Sequence, residues 1–287
     1  MNKETLEKIK TLYLSGKSSR QIAKEINCCK STILKHIKNI PKHKQTRKYT
    51  INENYFDTID TEEKAYFLGL LYSDGCNDSD NARIILGLQD EDREILDKFN
   101  IAINSNRPLS FIDCSKRIDK KCKNMYRLTI NSRHMSDKLT ELGCMKQKTF
   151  LLKFPTEDQV PNPLLKHWLR GLWDGDGSFS LSKNKNRFLM NTSIISTKNI
   201  IESINLFILK ELNIEGSVYK PKKSTKNTTD LHYTGLIKGL KIIRWLYLDS
   251  NIYLKRKYDR YLTIEEQLKI ISQQPRSKIK NKFSPII

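Results

Sequence analysis

The sequence has no long apolar run. No stretch approaches the roughly 18 residues of a membrane-spanning helix, and the N-terminus has no signal-peptide core. We therefore expect no membrane partner and a cytoplasmic location.

The sequence also has no paired cysteine motif. Its six cysteines form no CxxC pair, and none stands at zinc-ligand spacing from a histidine. This pattern indicates reduced thiols rather than a zinc finger or a disulfide framework. The six are Cys28, Cys29, Cys76, Cys114, Cys122 and Cys144.

Acidic residues are few compared with basic ones. There are 32 Asp and Glu against 52 Lys and Arg, which gives a net charge of +20. This excess favours a polyanionic partner, of which nucleic acid is the commonest. A lysine-rich surface of biased composition is the alternative. However, residues 1–50 hold 13 Lys and Arg against 3 Glu, half of the net charge, and this concentration favours binding.

Residues 1–40 have the pattern of a small helical domain. Leu6, Ile9 and Leu12 keep helical spacing, Gly16 ends that helix, and Ser18 is suited to cap the next. A turn and a third helix follow, and the segment resembles a helix-turn-helix of the resolvase kind. In that motif the start of the last helix enters the major groove. The resemblance places Lys30, Ser31, Thr32 and Lys35 at bases or phosphates; a generic three-helix domain with a solvated basic face is the alternative.

Two apolar helices in the chain match each other. Residues 164–177, LLKHWLRGLWDGDG, follow Asn162 as N-cap and Pro163 at the first helical position, and Gly177 is suited to end the helix in a left-handed conformation. Residues 65–75, AYFLGLLYSDG, follow Asp60 as a cap. Alignment pairs Gly69 with Gly171, Ser73 with Gly175, Asp74 with Asp176 and Gly75 with Gly177.

Each helix has a face of small residues. Packing of these two faces would bring Asp74 and Asp176 together at the C-terminal ends of the helices. The alternative is that each is an ordinary core helix closed by an Asp-Gly turn. The matching copies, each followed by strand-like sequence, favour the first interpretation.

The sequence around each apolar helix follows one order. The pattern predicts helix, two strands, helix, two strands, helix in each half, which indicates a duplicated unit. The first half has strand patterns at 82–89, 107–113 and 124–130 and helices at 92–103 and 132–143. The second has strands at 178–183, 186–195, 216–222 and 229–235, helices at 199–213 and 239–248, and a last helix at 264–273.

FLGLLYSDG (67–75) and LRGLWDGDG (169–177) resemble the two signature helices of the LAGLIDADG homing endonucleases. Their spacing of 102 residues suits the single-chain form with two repeats. The resemblance implies an α+β fold in which two pseudo-symmetric αββαββα repeats form a DNA-binding saddle, preceded by a small all-α helix-turn-helix domain. We expect that domain at 1–40, a basic linker at 41–58, repeats at 59–155 and 156–262, and a C-terminal helix and basic tail at 263–287.

Asp74 and Asp176 are the candidate metal ligands. Phosphodiester hydrolysis needs an activated water and neutralised charge, which carboxylate-held divalent metals supply. Mg²⁺ prefers oxygen ligands and keeps several waters, so two carboxylates suffice. The resemblance implies that each acid serves one DNA strand across the minor groove, with two or three divalent ions shared between them. Asp174 is interpreted as structural, and Tyr72 departs from the family pattern, which has an acid there.

Two lysines form a second pair. MKQK (145–148) and LKRK (254–257) occupy the same place in each half. The resemblance implies that Lys257 and Lys148 lie beside the active site and orient the attacking water, where a positive charge stabilises an anionic transition state. A phosphate contact or a solvated helix start is the alternative.

Side chains from the predicted strands are candidates to read DNA bases. Arg and Lys suit guanine and Gln suits adenine. The register stays open, because a slip of one residue reverses the face. The candidates are Arg83, Gln89, Arg127, Arg187, Tyr219, Lys220 and Lys222.

These features predict a metal-dependent, site-specific double-strand DNA endonuclease that uses Mg²⁺. A monomer is expected because the symmetry is internal. The chain lacks the terminal Cys and His-Asn residues of an intein, which favours a free-standing enzyme. The alternatives are a non-catalytic DNA-binding regulator and an intron RNA maturase on the same fold.

Overall fold

A computed structural model describes residues 1–40, 48–114, 123–146, 152–184, 187–220 and 228–272, without the side chains of residues 184 and 187. The chain divides into two compact units, residues 1–50 and 51–287. No helix in the described ranges is both long and apolar enough to cross a membrane.

The first unit is a three-helix domain. Its helices are α1 (Lys3–Leu14), α2 (Ser19–Glu25) and α3 (Lys30–Ile37). Ser18 caps α2 as predicted, in a reciprocal capping box with Gln21. The predicted turn between α2 and α3 is present, with Asn27 at a positive φ of 55°. The core contains Ile9, Ile22, Ile33 and Ile37, with Ala23 and Ile26 packed against it.

The second unit contains the predicted αββαββα order twice. The first copy comprises α4 (Glu62–Ser73), β1 (Gly75–Asp78), β2 (Arg83–Gln89), α5 (Arg93–Ala102), β3 (Ser110–Ile112), β4 (Met125–Asn131) and α6 (Arg133–Glu141). The second comprises α7 (Asn162–Asp176), β5 (Gly177–Asn184), β6 (Arg187–Thr197), α8 (Lys198–Leu212), β7 (Ser217–Tyr219), β8 (Thr228–Thr234) and α9 (Leu236–Tyr247). The α+β fold class is confirmed.

Each copy forms an antiparallel four-stranded sheet. The strand orders are β1-β2-β4-β3 and β5-β6-β8-β7, so both copies share one topology. Strand β1 has no counterpart among the individually predicted strands, because its sequence, GCND, has neither β-branched residues nor apolar alternation. Its pairing with β2 supplies what its local sequence lacks.

The predicted helix caps were wrong at several positions. Thr61, not Asp60, is the N-cap of α4, where its side chain accepts a hydrogen bond from the Lys64 backbone amide. Asn162 is the first residue of α7, and Pro161 stands at the N-cap. Gly177 has an extended conformation with φ −83°, because the chain passes directly from α7 into β5.

The last helix is longer than predicted. Helix α10 spans Lys255–Ser272 and so begins nine residues before position 264. Lys257, Ile264, Leu268 and Ile271 form its buried stripe, and this helical spacing was already present in the sequence. Tyr55 and Phe56, in the predicted linker 41–58, are buried in the core of the second unit.

Candidate active site

Two glycines set the distance between α4 and α7. A side chain on Gly69 would overlap the carbonyl oxygen of Trp168, and one on Gly171 would overlap the carbonyl oxygen of Tyr66. These two contacts are equivalent under the alignment of the signature helices. The helix backbones therefore touch directly, as the small-residue faces predicted.

The same packing brings the two predicted acids to one place. Asp74 is the C-cap of α4, and Asp176 is the last residue of α7. A Cβ on Gly175 would lie 2.5 Å from Asp74 Oδ2 and would overlap the Ser73 side chain. The Asp74 carboxylate therefore lies directly against the residue that precedes Asp176, and both aspartates are exposed.

Asp174 has the structural role that the sequence suggested. Its carboxylate is fully buried and accepts hydrogen bonds from Tyr66 Oη at 2.9 Å, Tyr247 Oη at 2.7 Å and the Leu254 amide at 2.8 Å. Burial raises the pKa of Asp174, while the charge on Lys257 opposes that rise. This aspartate ties both signature helices to the segment before α10.

Tyr72, which replaces the acid of the family pattern, also has a packing role. Tyr72 is buried, packs edge-on against Trp168, and donates a hydrogen bond to the Leu142 carbonyl at 2.5 Å. It joins α4 to the end of α6.

Lys257 reaches the end of α7 from the first turn of α10. Its Nζ donates to the carbonyl of Trp173 at 2.7 Å and to that of Gly177 at 2.6 Å. Burial lowers the pKa of Lys257 to about 8, and the nearby charges of Asp174, Asp74 and Asp176 act in the opposite direction. The lysine is therefore electrostatically coupled to both candidate metal ligands. Lys148, its predicted counterpart, lies outside the described residues.

An open cleft of about 600 Å³ adjoins this lysine, between the start of β5 and α10. Ser178, Arg256, Arg260 and Gln267 contribute polar groups to its lining. Arg256 is held by the buried carboxylate of Asp92, with Nε 3.0 and 2.9 Å from its two oxygens. The arginines were missed as candidates because α10 was predicted to begin after them.

The strand registers place the predicted base readers of the first repeat together. Arg83 and Gln89 alternate with the buried Ile84, Leu86 and Leu88 on β2. Arg127 lies opposite Gly87 and therefore points to the same side of the sheet as these two residues. This side is the open face, opposite the buried core. Arg83 pairs there with Asp78 at 2.9 Å.

The second repeat is only partly described at its predicted readers. Arg187 pairs with Asn184 at the start of β6, but its side chain lies outside the described part of the structure. Tyr219 ends β7 and is 55% exposed, and Lys220 follows it as an exposed residue. Lys222 lies outside the described residues.

The predicted readers of the first unit lie at the start of α3. Lys30, Ser31 and Lys35 are exposed and Thr32 is half-buried. Ser31 and Thr32 hydroxyls lie 3.1 and 2.8 Å from the sulfur of Cys29, and these hydrogen bonds lower the pKa of that thiol to about 7.

The donor set at the helix ends suits a hydrated divalent cation. No cluster of three or more His, Cys, Asp or Glu side chains with metal-site geometry occurs among the described residues. Two exposed carboxylates fit Mg²⁺, which retains waters, better than Zn²⁺, which favours a closed set of four N or S ligands. The absence of a side chain at Gly175 lets the end of α4, with Ser73 and Asp74, approach the end of α7 closely, and such a shared site requires this proximity.

Comparisons with known families match both units. The model of a helix-turn-helix domain matches residues 6–39, and that of a LAGLIDADG-like domain matches residues 164–274. A curated relative, the uncharacterized protein MJ0314 of Methanocaldococcus jannaschii, is 24% identical over 187 residues. The match spans 63% of this chain and 63% of that relative, less than two thirds of its length.

Solved structures of LAGLIDADG endonucleases are similar in outline. I-LtrWI bound to target DNA has a TM-score of 0.48 at 16% identity and covers 78% of this chain and 98% of its own. I-AabMI bound to uncleaved DNA has a TM-score of 0.47 at 10% identity, covering 74% and 94%. I-SmaMI bound to uncleaved target in the presence of calcium ions has a TM-score of 0.47 at 11% identity, with the same coverage.

Proposed function

Because residues 164–274 form a LAGLIDADG-like domain and residues 6–39 a helix-turn-helix domain, we propose that this chain is a site-specific double-strand DNA endonuclease of the homing type. The observation that carries the proposal is the position of the Asp74 carboxylate, 2.5 Å from where a Cβ on Gly175 would lie, beside Asp176. The two acids come from two packed helices and form one shared site, and this site faces one DNA duplex.

Asp74 and Asp176 are the residues that would hold Mg²⁺. Each stands at a helix C-terminus, where the negative end of the dipole adds to the attraction for a cation. When bound, the ion supplies an acidified water and neutralises charge on the phosphate. The carboxylates position this chemistry on both strands of the duplex.

We assign to Lys257 the role of stabilising the negative charge that develops on the phosphate in the transition state. Its two hydrogen bonds to main-chain carbonyls fix the amine at the end of α7. A cation that is already fixed in place needs little reorganisation as charge develops on the phosphate, so it would lower the barrier. Lys148 is proposed for the same role in the first repeat.

The central test uses Asp74→Asn and Asp176→Asn with Mg²⁺ and the DNA that flanks the gene's own insertion site. We expect either substitution to abolish double-strand cleavage and to leave DNA affinity largely intact, because an amide loses the charge that holds the cation. Asp158→Asn, at an exposed acid four residues before the N-terminal end of α7, is the matched control and should cleave like the wild type.

Retained double-strand cleavage in either active-site variant would refute the metal assignment. Specific binding by the wild type without cleavage at any divalent metal would favour the regulator. Tighter binding to a structured intron RNA than to duplex DNA would favour the maturase.

A further inference from the structure

The strand registers make positions on the open faces of the two sheets equivalent. Gly75 and Gly177, the equivalent signature glycines, pair with Leu86 on β2 and Ile194 on β6. These two residues pair in turn with Leu128 on β4 and Leu231 on β8. The residues that precede these two leucines therefore occupy equivalent positions in the two sheets. The position holds Arg127 in the first repeat and Asp230 in the second.

Arg127 stands in a row of small residues. Gly87 lies opposite it on β2 and Ser110 lies opposite it on β3. Its Nε is buried without a hydrogen-bond partner among the described residues. Buried polar atoms are normally paired, so the described part of the chain leaves this arginine incompletely satisfied.

Asp230 stands in the equivalent row, where its two cross-strand partners are large hydrophobic or aromatic residues. Ile195 on β6 and Tyr219 on β7 flank it and are 48% and 55% exposed. Oδ1 of Asp230 is buried and has no hydrogen-bond partner in the part of the chain that the structure describes. Oδ2 lies 3.9 Å from Nε2 of His232, beyond hydrogen-bond distance.

An aspartate on this face is unfavourable unless it meets a donor. DNA phosphates repel a carboxylate, whereas the amino groups of cytosine and adenine in the major groove donate to one. Aspartate accepts from cytosine N4, and arginine donates to guanine O6 and N7. An exposed isoleucine beside the acid suits contact with a thymine methyl group.

We infer that Arg127 and Asp230 are specificity-determining residues that read equivalent positions of the two half-sites with opposite hydrogen-bonding chemistry. Arg127 selects guanine in the half-site bound by the first sheet. Asp230 selects cytosine at the equivalent position of the other half-site, so the target is not palindromic there. This inference rests on the proposed function, because it requires both sheets to contact one duplex.

The test is selection of bound duplexes from a randomised DNA library by the full chain, with sequencing as the readout, so that cleavage is not required. The wild type should enrich a site with guanine and cytosine at the two equivalent positions. Arg127→Ala should reduce the guanine preference roughly 5- to 100-fold at that position alone. Asp230→Asn should change the other preference from cytosine to adenine, because an amide pairs with adenine N6 and N7.

Two variants control for general effects of substitution. Arg93→Ala removes a cation that packs on the ring of Tyr126, on the opposite face of the first sheet, and Asp137→Asn removes an exposed acid on α6. Both should give the wild-type profile, and thermal unfolding should show that all four variants fold.

The outcomes separate the two proposals. If the wild type enriches a site and Arg127→Ala or Asp230→Asn leaves its profile unchanged, the inference fails and the endonuclease proposal stands. If the wild type enriches no sequence, both fail.

Discussion

Asp174 and Asp176 lie two residues apart on one helix, and their carboxylates have opposite environments. Two residues rotate the side chain by roughly 200° around α7. Asp174 turns into the core and is satisfied by two tyrosines and a main-chain amide, whereas Asp176 is exposed beside Asp74. The first therefore stabilises the helix pair, and the second is the one that we propose as a cation ligand.

His167 is a second residue whose role depends on its surroundings. Its Nδ1 lies 2.9 Å from Nη1 of Arg170, and an arginine can only donate, so the imidazole must be neutral to accept. Burial, reinforced by the charge of Arg170, lowers the pKa of His167 to about 4 from 6.5. The buried Arg170 guanidinium also donates to Glu62, the first residue of α4.

This lowered pKa predicts a pH-dependent loss of stability. The unfolded chain takes up the proton near pH 6.5 and the folded chain only near pH 4, so stability is retained above about 6.5 and falls as the pH drops toward 4. The total loss should be of order 3 kcal/mol. Urea unfolding between pH 4 and 7.5 measures it, and His167→Gln should flatten this dependence. Equal slopes for the two proteins would contradict the assignment.

At the scale of elements, the contact between α4 and α7 organises the second unit. Both helices are buried on several sides, so this one contact belongs both to the core and to the candidate site. Gly69 and Gly171 allow the backbones to touch, and the aspartates at the helix ends are close only because the helices are.

Gly69→Ala and Gly171→Ala should each push the helices apart. The added carbon meets main-chain carbonyl atoms that cannot rotate away, so we expect a loss of about 1–3 kcal/mol in the free energy of unfolding. Cleavage should fall further, about tenfold or more, because small displacements of reacting groups are costly. Denaturant titration and cleavage of a target duplex measure the two effects.

Gly87→Ala is the matched control for stability. Its added carbon would lie 3.2 Å from the terminal methyl of Met125, which is the flexible end of a side chain. If Gly87→Ala lowers the free energy of unfolding as much as Gly69→Ala does, the loss at Gly69 does not come from the close contact between α4 and α7.

At the scale of the whole molecule, the chain combines two units with separate cores. The first has its own cluster of isoleucines, and the larger unit holds the paired helices and both sheets. Residues 1–50 carry half of the net charge, which favours a role for the first unit in affinity rather than in chemistry.

Removal of residues 1–45 should weaken DNA binding and flatten its dependence on salt, because fewer phosphates are then neutralised. Cleavage of the target at saturating protein should persist, since Asp74, Asp176 and Lys257 are all in the larger unit. Binding isotherms at several salt concentrations give the slope. A slope equal to that of the full chain would exclude a role of the first unit in phosphate contact.

The sequence by itself determined most of the elements and their repetition, and it singled out the two aspartates as candidates, because apolar periodicity and a duplicated motif are local signals. The helix ends were less well determined. Thr61 and Asp60 are both suitable N-caps for α4, and the direct passage of the chain from α7 into β5 overrides the preference of Gly177 for a left-handed conformation. Strand β1 forms through a pairing that no local pattern records, whereas the buried stripe of α10 has a helical spacing that the sequence already contained.

Only the tertiary structure decided which side chains meet. The carbonyl partners of Lys257 come from the end of α7 and the first residue of β5, 84 and 80 residues away. The open-face positions of Arg127 and Asp230 depend on registers across three strands. A strand pattern is the same for either register until a neighbouring strand selects one. The charge reversal between the equivalent positions of Arg127 and Asp230 therefore depends on the strand pairing in both sheets.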